Sequence, residues 1–239
     1  MAKDELINKF NYIGTRPNRP DGLDKVTGRA KYGADFNAPN MLHAAVLRSP
    51  HAHARIIKID TSKAEALSGV KAFVTRADFP TGLKGEDFYL QENTIAGDRA
   101  LYDGHAVAAV AATSALAAKD AIKLIEVEYE ILPHVTDVDE AMRPDAPVIR
   151  KGAQDHTVPE GSPPNIVSYM DFGHGDLETG FSDADLIMEN TYKTEAAHQG
   201  YIEPHACVGQ LGQDGKGEMW ICTQGQWFIR KMCAAVLGL

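Results

Sequence analysis

Cysteine is scarce. Cys207, Cys222 and Cys233 are the only three in 239 residues. Their number is odd and none forms a CxxC pair, so the usual zinc and iron–sulfur ligand spacings are missing. Reduced thiols in a reducing compartment are the plain reading. No apolar run approaches the length of a membrane-spanning helix. The opening MAKDELINKF lacks the apolar stretch of a signal peptide, so a cytoplasmic setting is expected. Positive charge is in deficit, with 24 Lys and Arg against 33 Asp and Glu, a formal net charge of −9. There is no basic stripe, and an acidic chain repels polyanions, which argues against nucleic acid or an anionic membrane as a general partner. Walker A, GxSxG and HExxH patterns are absent, as are internal repeats and low-complexity tracts. Hydrophobic residues at 44% and charged residues at 24% are ordinary globular values, which excludes disorder for the whole chain.

What is present reads as a sequence of short elements. The segment 15–22 (TRPNRPDG) cannot be helical, because each proline restricts itself and its predecessor; it reads as an extended arm over 1–20. Strands are predicted over 41–47, 54–60 and 70–75. A short helix capped by Thr61 or Ser62 ends at Gly69. Residues 78–97 read as a loop. The small-apolar run 106–112 (AVAAVAA) predicts a strand buried on both faces. Thr113 or Ser114 starts a helix over 115–124 with Ala117, Ala121 and Leu124 as its buried stripe, and 125–131 (IEVEYEI) alternates as a strand with a charged open face. A proline-rich connection covers 141–165. Beyond it, strands are expected over 165–172, 185–194, 206–211 and 218–223. A helix follows over 226–237, with Trp227, Ile229, Met232, Cys233 and Val236 at helical spacing and Gly238 as its stop.

Spacing alone points to no chemistry. His51 and His53 lie two apart on a predicted strand face without a carboxylate or thiol to complete a metal set. His198, Glu203 and His205 lack an i, i+4 helical pair. Cys222 reads as a strand thiol with no flanking cation to activate it. The glycine-rich 173–176 (GHGD) lacks GxGxxG spacing.

Longer motifs carry a resemblance. Residues 14–35 (GTRPNRPDGLDKVTGRAKYGAD), 42–56 (LHAAVLRSPHAHARI), 69–78 (GVKAFVTRAD), 104–110 (GHAVAAV) and 127–133 (VEYEILP) follow one another in order. So do 173–177 (GHGDL), 201–206 (YIEPHA) and 223–230 (TQGQWFIR). Together they resemble the N-terminal part of the molybdopterin-binding large subunit of the xanthine dehydrogenase / aldehyde oxidase family. One departure is His105-Ala106 where the family often carries Gln-Pro.

The resemblance implies an α+β fold. A small α/β hammerhead domain over 21–140 precedes the beginning of a mixed α/β molybdenum-cofactor-binding domain over 166–239. It implies hydroxylation of an electron-poor carbon with oxygen from water. Molybdenum is held by molybdopterin rather than by protein ligands, and electrons pass to iron–sulfur and FAD groups on partner subunits. The family's downstream GGGFG loop and catalytic glutamate lie outside this sequence. It therefore reads as a fragment or as one piece of a split subunit that needs the remaining molybdenum subunit and is inactive in isolation. Gln224 falls on the glutamine that faces the molybdenum, where its amide can donate to an oxo acceptor, giving it a catalytic and cofactor-binding role. Gly225 and Arg230 are implied as further cofactor contacts, Arg230 through a pterin phosphate. His51, His53, Arg55, Glu203 and Pro204 are motif residues with structural roles. A non-catalytic assembly module derived from the family is the alternative. Purines, aldehydes, N-heterocycles, aromatic acyl-CoA thioesters and carbon monoxide all stay open as substrates.

Limited proteolysis of the chain is expected to leave 21–140 protected longer than 166–239. Equal protection of both would indicate that the second region is a complete domain.

Overall fold

In the computed structural model, residues 10–239 are described, and part of the arm predicted over 1–20 lies outside them. The chain is mixed α and β, and it forms two compact units. One joins the described residues up to Ala38 with Ala197–Gln224; the other joins Pro39–Ala196 with Gly225–Leu239.

The larger unit is organised by a run of small apolar residues. Strand β5 (Ala106–Ala112) lies between β1 (His43–Arg48) and β3 (Val70–Val74), antiparallel to both. Val107, Ala108, Val110 and Ala112 are buried, but on the face of Val107 the residues Ala109 and Ala111 are only partly buried beside exposed Ala44, Val46, Ala72 and Val74, so one face of the strand packs into the core and the other is largely open, not buried as the run predicts. A second sheet has β2 (Ala54–Asp60) between β4 (Arg99–Ala100) and β6 (Glu126–Ile131). On β6 the three glutamates face outward, as the alternation predicts.

Helix α1 (Gly22–Val26) belongs to the smaller unit, and α2 (Ser62–Glu65) to the larger. The core cluster of the larger unit gathers Ala64, Ala108, Val110, Ala121 and Ile125. Gly69, which follows α2, has φ +94°, and a Cβ there would meet the Thr113 hydroxyl at 2.9 Å, so chain reversal and close approach both require glycine.

The sequence places a loop over 78–97, whereas the structure forms helix α3 (Gly85–Thr94) there. The reason is chemical. Its buried side chain is Gln91, an amide, so no apolar stripe announces it. Helix α4 (Ala115–Lys123) starts where Ser114 Oγ accepts from the Ala117 N–H at 3.1 Å. Its buried face is Ala118 and Ala121, not the predicted Ala117, Ala121 and Leu124. After the one-turn α5 (Val138–Ala141), residues 165–172 and 185–194 are not strands. A strand exists through its ladder, and beyond one backbone bond from the Asp155 N–H to the Val167 carbonyl no described segment builds one with either; Met170, Phe172, Leu186 and Met188 stay exposed. Between them lies α6 (Leu177–Ser182), whose first turn is capped by the Asp176 carboxylate accepting from the Thr179 N–H. The GHGD motif is thus a helix start.

Two buried polar side chains fasten this unit. Gln91 Nε2 donates to the carbonyls of Pro80 and Val236, both at 3.1 Å. Val236 belongs to α7 (Gln226–Leu237), whose last carbonyls have no partner within the helix. The Gly238 N–H donates to Ala235 and the Leu239 N–H to Ala234, with Gly238 left-handed at φ +70°. His105 is fully buried. Its Nδ1 accepts from the Leu101 N–H at 3.2 Å, which makes Nε2–H the donor to the Glu92 carbonyl at 2.9 Å. Burial holds its pKa below the ordinary 6.5.

Gln91→Leu is expected to lower stability by about 1–3 kcal/mol, because two buried carbonyls lose their donor. Hydrogen exchange should show the last turn of α7 opening first. For His105, stability that is complete above pH 6.5 should be lost as pH falls towards its lowered folded-state value, because the unfolded state binds the proton first. His105→Gln keeps one donor and one acceptor and should remove this part of the pH slope in urea titrations.

Candidate functional site

The segment 223–230 joins a hairpin to a helix. The hairpin is β7 (Cys207–Leu211) paired antiparallel with β8 (Gly217–Ile221), in the smaller unit. Trp220 on β8 stacks on Phe36 with centroids 4.3 Å apart, and a Cβ on Gly33 would meet the Ala206 carbonyl at 3.1 Å. These contacts hold the segment before Ala38 against the hairpin and so set where the chain leaves β8.

Gln224 is the last residue of that unit, three positions beyond β8. Its side chain is exposed and makes no hydrogen bond among the described residues. An amide in that state keeps two N–H donors available. Gly225 is the N-cap of α7, with φ −150° and ψ 70°, and it opens the second segment of the larger unit. A Cβ added there would meet Phe228 Cβ at 3.8 Å, an ordinary contact, so neither space nor φ demands glycine. Arg230 lies in the second turn of α7, exposed and without an ion pair among the described residues. Of the stripe predicted on α7, Val236 is buried while Trp227 is 76% exposed; the adjacent Phe228 is 61% exposed. Gln224 in the smaller unit offers amide N–H donors and Arg230 in the larger a guanidinium, groups that each suit oxo or phosphate acceptors rather than direct ligation of a metal. Among the described residues no group of three or more His, Cys, Asp or Glu could hold a metal ion.

The motif histidines are not on a strand face. They lie in the bend between β1 and β2. His51 meets the Tyr129 ring edge-on at 5.0 Å, and His53 is buried with Nδ1 2.7 Å from the Pro133 carbonyl. Arg55 pairs with Glu130 at 3.0 Å across the β2–β6 ladder. In the smaller unit, His198, Tyr201 and His205 form a chain of ring contacts at 4.7 and 4.5 Å. Glu203 and Pro204 lie in the exposed loop before β7. Cys222 Sγ lies 3.7 Å from His205 Nδ1 and accepts from the Ala206 N–H at 3.4 Å. That proximity comes from ladder register, which places residue 222 beside residue 206, and strand spacing along the sequence cannot reveal it. Gln91 and Arg99 carry no sequence signal at all. His105 is visible only as the departure from Gln, whose donor and acceptor its imidazole reproduces.

Residues 27–133 match the aldehyde oxidase and xanthine dehydrogenase a/b hammerhead domain, and residues 158–239 match the molybdopterin cofactor-binding domain. The chain is 37% identical to a probable xanthine dehydrogenase subunit of Bacillus subtilis, over 98% of this chain and 29% of that relative. It is 30% identical to the nicotinate dehydrogenase large molybdopterin subunit of Eubacterium barkeri, over 100% of this chain and 52% of that relative. A crystal structure of the Cu,Mo-CO dehydrogenase superposes with a TM-score of 0.78 at 30% identity, covering 95% of this chain and 29% of the other. The chain therefore spans between about a third and a half of the length of these proteins. With both domains matched in order and the fold shared, the chain belongs to the xanthine dehydrogenase / aldehyde oxidase family and resembles the N-terminal part of its molybdopterin-binding large subunit.

Proposed function

We propose that the chain works within a molybdenum-cofactor-dependent hydroxylase that oxidises an aldehyde, N-heterocycle or related small molecule. The observation that carries this reading is the exposed Gln224 amide, free of hydrogen bonds among the described residues, within the segment 158–239 matched to a molybdopterin cofactor-binding domain. When bound, the molybdenum–molybdopterin centre supplies the oxidation of a carbon that gains oxygen from water. This chain's own residues would orient that centre. The Gln224 amide donates an N–H to an acceptor on the cofactor, and the Gly225 turn directs the backbone into α7. Arg230 offers its guanidinium to a phosphate of the pterin. The same reading keeps the division into an arm, a hammerhead domain over 21–140, a linker over 141–165 and the start of the cofactor domain. It calls for the remaining molybdenum subunit, with iron–sulfur and FAD subunits to carry electrons away, and for a cytoplasmic setting.

The test is Gln224→Leu in the complex assembled with its partner subunits. Turnover is expected to fall about 10–100-fold while molybdenum content is unchanged, the signature of an outer contact that orients rather than holds the metal. Unchanged turnover with full molybdenum content would overturn the role of Gln224.

A further inference from the structure

Cys222 and His205 come together at the open end of the β7–β8 hairpin, within the smaller unit. The sulfur is 3.7 Å from the imidazole Nδ1, and the carbonyl oxygens of Pro204 and Ala206 lie at the same distance. The thiol hydrogen therefore has three acceptors. A carbonyl can only share it, whereas an imidazole nitrogen can take it. The Ala206 N–H donates to the sulfur at 3.4 Å, a bond that strengthens when the sulfur carries negative charge. The imidazole is itself braced: Tyr201 meets its ring edge-on with centroids 4.5 Å apart, and His198 stands against Tyr201 at 4.7 Å. A nucleophile, a base within reach and a group that orients the base are the parts of an activated thiol.

Exposure alone ranks the thiols differently. All three cysteines are free; Cys207 is exposed, while Cys222 and Cys233 are half-buried. Neither the Cys207 thiol nor the Cys233 thiol makes a hydrogen bond among the described residues. Exposure thus names Cys207 as the most reactive thiol, and side-chain geometry names Cys222.

We propose that Cys222 and His205 form a thiol–imidazole pair that makes Cys222 the preferred site of covalent modification by small soft electrophiles. In alkylation the thiol proton passes to His205 Nδ1 and the sulfur forms a bond to the electrophilic carbon. The bond from that carbon to its leaving group breaks, and the leaving group takes the electron pair. The imidazolium then returns its proton to water. The pair lies outside 223–230, so the inference does not rest on the cofactor reading.

The experiment is timed alkylation of the full chain by iodoacetamide at neutral pH, with each cysteine peptide quantified by mass spectrometry. Cys222 is expected to react about tenfold faster than the more exposed Cys207. His205→Phe keeps a ring against Tyr201 and removes the base. It should slow Cys222 about tenfold and leave Cys207 unchanged, so Cys207 reports on the fold in the same sample. If all three cysteines accelerate together, the variant has unfolded and His205→Gln takes its place. Cys222 reacting no faster than Cys207 in the unaltered chain would overturn the proposal whatever the variants do. So would an unchanged Cys222 rate in a folded His205 variant.

Discussion

The larger unit depends on one central strand whose inner face must be small and apolar. β5 is paired along both edges and packs Ala108, Val110 and Ala112 into the core on one face, so those residues have little room to grow. Ala108 and Ala112 allow α4 and the flanking strands to approach, while Val107 and Val110 contribute roughly 1.5–3 kcal/mol each through burial. The turn at Gly69, the Ser114 cap and the α2–α4 core all follow from bringing elements against this strand. Its partner sheet carries the same logic outward, since β6 buries Val127 partly and turns its glutamates to solvent.

The second constraint is polar. Gln91 and His105 sit where a core would ordinarily hold aliphatic side chains; both donate to backbone carbonyls and His105 also accepts from a backbone N–H, while Gln91 Oε1 has no partner among the described residues. Gln91 fixes the far end of α7, the helix whose near end carries Gly225 and Arg230. The residues proposed to face the cofactor are thus presented from elements anchored elsewhere. The Phe36–Trp220 stack sets the exit of β8, and the Gln91 amide sets the closing turn of α7.

The elements legible in the sequence are those whose burial follows a simple period. The strands β2 and β5 and the helix α7 have the bounds that their apolar patterns predict. Helix α3 is invisible because its inward residue is an amide. The expected strands over 165–172 and 185–194 fail for the opposite reason: an alternating pattern states a preference, but a ladder needs a partner, and no described segment provides one. At the candidate site, Gln224, Gly225 and Arg230 are found through a family motif, not through spacing. His205 beside Cys222, and Arg99 beside His53, arise from three-dimensional proximity that linear spacing does not encode.

The central claim is that this chain is a working part of a molybdenum hydroxylase. The most direct measurement is affinity purification of the tagged chain from its native host, with molybdenum, iron and flavin quantified in the eluate. Near-stoichiometric molybdenum together with iron and co-purifying subunits is the predicted result. A clean eluate with neither metal nor partner chains would contradict it and would leave an assembly module as the reading.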